Sequence, residues 1–143
     1  MSLENRYDTQ NIFAKIIRGE MPKVSVFEDD HVLAFMDVFP QSDGHVLVIS
    51  KEAQSVNLVD LPADDLSRIM AAVQKISRAV VAALAPDGFR IVQFNGEAAG
   101  QTVFHTHFHI IPVYQGRDLA PHGEGMAPAD VLEATAEKIR NAL

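Results

Sequence analysis

The chain has no cysteine and no tryptophan, only two tyrosines, and no apolar run near the ~20 residues that a membrane-spanning helix needs. Without cysteine there is no disulfide framework and no thiolate metal site, which fits a reducing compartment. Basic residues are scarce as well: 12 against 19 acidic ones, a formal net charge of −7, with no lysine- or arginine-rich stretch to track a phosphate backbone. Nucleic acid is therefore not an expected partner. A small phosphorylated ligand stays compatible with this charge, because backbone N–H groups and imidazoles hold phosphate locally. The opening MSLENRYDTQ has neither a basic segment nor an apolar core, so the expectation is a soluble, cytoplasmic protein with no membrane partner.

What is present is enough apolar material for one domain: 48% hydrophobic residues in 143. In NIFAKIIRGEMP, Asn11 is placed to cap a short helix whose Ile12, Phe13, Ile16 and Ile17 share a face, with Gly19 at its exit. KVSVFEDDHVLAFMD alternates on both sides of Glu28, Asp29 and Asp30 as a β-hairpin does, and HVLVIS adds a third strand. From Pro62 to Leu84 an apolar stripe of Leu66, Ile69, Met70, Val73, Ile76, Val80 and Leu84 predicts a long helix, ended by Pro86 and Gly88. FRIVQFN reads as a fourth strand that forms a hairpin with a fifth. After Tyr114 the composition turns irregular, and PADVLEATAEKIRNAL resumes as a terminal helix with Pro128 in its first turn. The expected class is α+β: a five-stranded antiparallel sheet, two main helices on one face, a core domain over residues 5–115 and a tail over 116–143 ending in a short helix. Such a sheet leaves its other face for a ligand.

Three of the six histidines fall at alternate positions, His105, His107 and His109, in GQTVFHTHFHIIP. Their neighbours are β-branched or aromatic and Pro112 closes the run, so the segment reads as a strand. Period two then puts Val103, His105, His107, His109 and Ile111 on one face and Phe104, Thr106, Phe108 and Ile110 on the other. Three readings fit one face of imidazoles. They could be solvated sheet residues, although adjacent rings repel when protonated. They could ligate zinc, although no Asp or Glu follows within eight residues. Or they could divide the work of nucleophilic attack, a neutral imidazole attacking phosphorus while its neighbours stabilise oxygens and protonate the leaving atom. The small-residue loop NGEAAGQT just before them is suited to donating hydrogen bonds to phosphate.

HTHFHII resembles the His-x-His-x-His-x-x signature of the histidine triad (HIT) family, with Thr106 as its one polar departure. NIFAKIIRGEMP, VFEDDHVLAFMDVFPQSDGHVLVISK and GQTVFHTHFHIIP resemble, in order, the family's first helix, nucleotide-binding hairpin and triad strand, covering about residues 11 to 113. The resemblance implies a HIT-like fold and, within the nucleotide-binding branch, a purine nucleotide phosphoramidase or nucleotidyl hydrolase that needs no cofactor. It implies that His107 is the nucleophile, that the backbone carbonyl of His105 orients its ring, and that His109 and His45 contact phosphoryl oxygens or assist the leaving group. Asn95, Gln101 and Thr102 match phosphate-contacting positions, and Asp37 matches the acceptor of both ribose hydroxyls. Ile12, Phe13, Ile16, Phe35, Val38 and Leu47 resemble the base pocket, with ordinary core as the rival reading. His31 and His122 match no functional position and are expected at the surface.

Alternatives implied by the same resemblance are dinucleoside polyphosphate hydrolysis and a non-catalytic nucleotide-binding module. Uridylyltransferase members end the triad in glutamine, so His109 implies water as final acceptor. Many bacterial members add Cys-x-x-Cys and a further histidine to hold structural zinc; this chain has Asn11, Ala14 and Gln54 there, so no metal is expected. Twofold dimers pairing the long helix and the strand before the triad are implied too, with Met70, Val73 and RIVQF as candidate contacts.

Overall fold

The computed structural model describes residues 3, 6–121 and 125–143. His122 lies outside the described residues. The elements follow the order α1 (Ile12–Ile17), β1 (Ser25–Glu28), β2 (Val32–Met36), β3 (Val46–Ser50), α2 (Ala63–Leu84), β4 (Gly88–Val92), β5 (His107–Val113) and α3 (Ala129–Asn141). All strand pairs are antiparallel, in the order β1-β2-β3-β5-β4. This is the α+β architecture that the hydrophobic patterning predicts, except that α1 does not share a face with α2: its Phe13 and Ile16 cover the opposite side of the sheet, where Leu33, Phe35, Leu47 and Ile49 are also apolar.

Alternation in the central strands divides the molecule into two faces. Ala34, Met36, Val46, Val48, Phe108 and Ile110 point toward α2 and form the principal core with Ile69, Val73, Ile76 and Val80. Leu132, Ala136 and Ile139 of α3 enter the same core, so the terminal helix is packed structure rather than an appendage. The opposite face carries Leu33, Phe35, Leu47 and Ile49, covered by Phe13 and Ile16 of α1. Burial of such side chains stabilises the fold by ~1.5–3 kcal/mol each. Candidate interface residue Val73 is 5% exposed and belongs to the core, because it lies on the inner stripe of α2.

Several boundaries differ from the expectation for physical reasons. The triad strand begins at His107 rather than Val103. Thr106 instead directs its N–H (2.9 Å) to the Ser55 carbonyl, which takes the chain away from β3. At the other end Pro112 lies inside β5, opposite Phe89 and beyond Ile110, the last partner of β3, where a missing N–H is tolerated. Strand β4 stops at Val92, leaving Gln93 to Asn95 outside it. Helix α2 ends through Ala85 in the left-handed conformation (φ 48°), since a residue before proline is disfavoured in the right-handed α region. Pro128 occupies the N-cap of α3, one residue ahead of its first turn. Among the described residues no helix is long and apolar enough to cross a membrane.

Candidate active site

The site is built on the face of the sheet away from α2, where register dictates its neighbours. In β3 and β5, Leu47 pairs with His109 and Ile49 with His107. His45 precedes β3 on the same side, reached through a turn in which Gly44 has φ +91°; a Cβ there would come within 2.4 Å of the Leu84 side chain. Asp37 follows β2, and its N–H donates to the His45 carbonyl (3.0 Å). His45, His105, His107, His109 and Asp37 are thus brought together from four segments, and all are buried.

Backbone groups decide which nitrogen of each ring carries the proton, because an amide N–H only donates and a carbonyl only accepts. His107 donates Nδ1–H to the carbonyl of His105 (2.7 Å), leaving the lone pair on Nε2. The Gln41 N–H donates to His45 Nδ1 (3.0 Å), so the His45 proton sits on Nε2, from which it is donated to His109 Nδ1 (2.8 Å). His109 consequently carries its own proton on Nε2. The Asp37 carboxylate lies 3.4 Å from His45 Nε2, while its Oδ1 accepts from the Phe39 N–H (2.8 Å). His105, just outside the strand, donates Nε2–H to the Ser50 carbonyl (3.1 Å) and accepts from the Tyr7 hydroxyl at Nδ1 (2.6 Å). Burial pushes the His105 imidazole down from the usual 6.5 to about 4, opposed by the Ser50 carbonyl and reinforced by His107.

The other predicted residues separate into groups. Phe13, Ile16, Phe35 and Leu47 form one apolar cluster, and the Phe13 ring meets His107 edge-on with centroids 4.9 Å apart. Ile12 and Val38 lie at the exposed margin, 44% and 38% accessible. Thr102 is exposed in the loop before the triad. Gln101 is buried; it donates to the carbonyls of Val56 and Val103 and accepts from the Gly96 N–H, so its side chain braces the loop rather than facing the groove. Asn95 accepts from the Leu58 N–H (2.8 Å) and exchanges two bonds with Gln93, which ties its amide to the loop as well. His31 sits at the surface, 2.9 Å from Glu52.

Sequence reasoning passed over Tyr7, Gln41, Ser50, Ser55 and Phe94, whose ring stands edge-on to His109 at 5.6 Å. One signal did point to Ser55: the polar Thr106 amid apolar neighbours needs a partner, and its hydroxyl meets that of Ser55 at 2.6 Å, itself bonded to Asp60 (2.9 Å).

Ligand atoms of Asp37, His45 and His109 lie within 4.8 Å of one another, a spacing open to a divalent ion. The tautomers fit poorly. To ligate through Nε2, His45 would have to move its proton to Nδ1, directly against the Gln41 N–H. The trio is better suited to a shared proton. At the positions of the structural zinc set, the Asn11 side chain instead accepts from the Ala14 N–H and caps α1, while Ala14 and Gln54 offer no ligand.

A five-stranded sheet bearing three alternating histidines, the middle one held through its Nδ1–H by the His105 carbonyl, defines a histidine-triad protein. The family model described as HIT domain matches residues 18–116. The chain belongs to the HIT family. A HIT-like protein of Bartonella henselae superposes with a TM-score of 0.92 at 50% identity, covering 97% of this chain and all (100%) of that one. A hypothetical histidine triad nucleotide-binding protein from Sulfolobus tokodaii gives a TM-score of 0.83 at 31% identity, covering 91% of this chain and 89% of that one. In sequence, the adenylylsulfatase HINT3 of Arabidopsis thaliana is 44% identical over 101 residues, 71% of this chain and 51% of the relative.

Proposed function

We propose that this HIT-family protein is a purine nucleotide phosphoramidase, a nucleotidyl hydrolase acting at the α-phosphorus. The observation that carries the reading is the 2.7 Å bond from His107 Nδ1–H to the His105 carbonyl. It leaves a neutral Nε2 lone pair as the nucleophile without requiring another base. In the proposed reaction Nε2 attacks the α-phosphorus, the bond to the leaving nitrogen breaks, and His109 Nε2–H protonates that nitrogen. Water then attacks the nucleotidyl-histidine, gives its proton back to His109, and releases the monophosphate and free His107. His45 steadies His109, and Asp37 beside it accepts the ribose hydroxyls with the remaining lone pairs of its oxygens. The Phe13, Ile16, Phe35 and Leu47 cluster, with Ile12 and Val38 at its margin, receives the base. Gln101 and Asn95 act by holding the loop whose backbone and Thr102 meet the phosphate.

Incubation with adenosine 5′-phosphoramidate should release AMP, and His107→Ala should abolish release; a rate unaffected by that change removes His107 from the mechanism. AMP binding without turnover would instead favour a nucleotide-binding module. A relative named as an adenylylsulfatase keeps other leaving groups open, and competition between the phosphoramidate and a dinucleoside polyphosphate at equal concentration separates the amidase from the second hydrolase. We further propose a twofold dimer through β4, whose Phe89 and Ile91 are 43% and 42% exposed, Phe89 lining a shallow pocket with Val81 of α2. A monomer mass in light scattering would refute it.

A further inference from the structure

We propose that Tyr7 is a positioning residue for the nucleophile: its hydroxyl locks His105 in one tautomer, and His105 in turn presents the carbonyl that orients His107. The inference concerns a residue 98 positions away in sequence from the ring it contacts. It rests on the reading of His107 as nucleophile only for its effect on rate.

His105 is buried, at 2% exposure, and both of its ring nitrogens face fixed partners. Nε2 faces the Ser50 carbonyl, which only accepts, so the single proton of the neutral ring belongs there. Nδ1 is then a buried acceptor that needs a donor, and Tyr7 supplies an O–H at 2.6 Å with its ring edge-on to the imidazole at 5.6 Å. Burial raises the Tyr7 pKa above 10.0, so the phenol keeps its proton at every pH at which the enzyme would work. Remove that donor and the Ser50 carbonyl alone is left to hold the ring, with Nδ1 a buried acceptor that has lost the hydroxyl facing it.

Two further connections give the contact its reach. The carbonyl of His105 is the acceptor for His107 Nδ1–H, so a turn of residue 105 is passed directly to the nucleophile. Helix α1, capped by Asn11, follows Tyr7 in the chain and carries the Phe13 ring that meets both His105 (6.2 Å) and His107 (4.9 Å) edge-on. The Tyr7 hydroxyl and the Phe13 ring thereby brace the start of the triad from the segment before α1 and from the helix itself.

The test is Tyr7→Phe in the full chain, which keeps the ring and removes one oxygen. Nitrogen-15 NMR of the histidine rings should show, in the unaltered protein, a His105 signal pair typical of a fixed Nε2–H form. In the variant the two shifts should move toward each other as the tautomers exchange. With adenosine 5′-phosphoramidate kcat should fall about 5- to 10-fold while KM stays within twofold. His105 shifts that do not move overturn the proposal whatever happens to rate or stability. Shifts that move with kcat unchanged also overturn it, since the lock would then not reach His107. If the unaltered protein lacks phosphoramidate turnover, the proposed function fails; shifts that move in the variant would then still support the lock on His105, and unmoved shifts would overturn it.

Discussion

The two faces of one sheet are buried to similar depth by different means. On the α2 side, Val46, Val48, Phe108 and Ile110 pack against aliphatic side chains of α2 and α3, and shape and apolar area hold them. On the histidine side, His45, His105 and His109 are equally enclosed, 0–2% exposed, yet each ring has polar atoms that must be matched. Burial is tolerated there because amides, carbonyls and hydroxyls of other segments supply the partners, and those partners also select the tautomers. Apolar packing permits many substitutions of similar volume; a matched polar face permits few, and it is the face that can do chemistry.

The largest predicted effect separates the faces by function. His107→Ala should lower kcat at least ~10³-fold while costing about 1–3 kcal/mol of stability, because the buried His105 carbonyl loses its donor, in a single-turnover assay paired with urea unfolding. Ile110→Ala, one step from His109 but on the α2 side, should spare the rate: a loss of about 2–5 kcal/mol in stability, with kcat of the folded fraction within a few-fold of the original. Equal loss of rate in both variants would show that the faces are not independent.

Between pH 6.5 and 4, acid should act on the histidine face. The unfolded His105 binds a proton near pH 6.5 and the folded one only near 4, so the unfolded state gains protons first and stability falls as pH drops through that window. The expected slope is about 1.4 kcal/mol per pH unit, roughly 3 kcal/mol in all. His105→Asn should flatten urea-midpoint curves between pH 6.5 and 4; an unchanged slope would assign the acid sensitivity elsewhere. The smallest effect concerns Thr106. Thr106→Val takes one partner from the Ser55 hydroxyl, which keeps Asp60 and the Asn57 carbonyl, and should cost about 0.5–1.5 kcal/mol; with Ser55→Ala added, the total loss should be smaller than the sum of the two single losses. A double variant that is simply additive would deny the coupling.

Legibility in the sequence followed the same division. The stripe from Leu66 to Leu84 lies wholly in or against the core, because a 3.6-residue period has one solution when a helix packs on a sheet. The three histidines at alternate positions do share a face, although His105 reaches it from a loop. The family resemblance implies phosphate contacts at Gln101 and Asn95, yet their amides turn inward to the loop, a choice that depends on Val56 and Leu58 from elsewhere in the chain. The docking of α3 had no local signal beyond its own amphipathic pattern.

The sequence by itself determined the elements, the alternation that sorts the central strands into two faces, and the three histidines at alternate positions, since these depend on residues within a few positions of each other. Only the tertiary structure decided where each imidazole keeps its proton. That follows from donors and acceptors such as Tyr7, Gln41 and Ser50, which reach the rings from other segments and acquire meaning only when the chain closes around them.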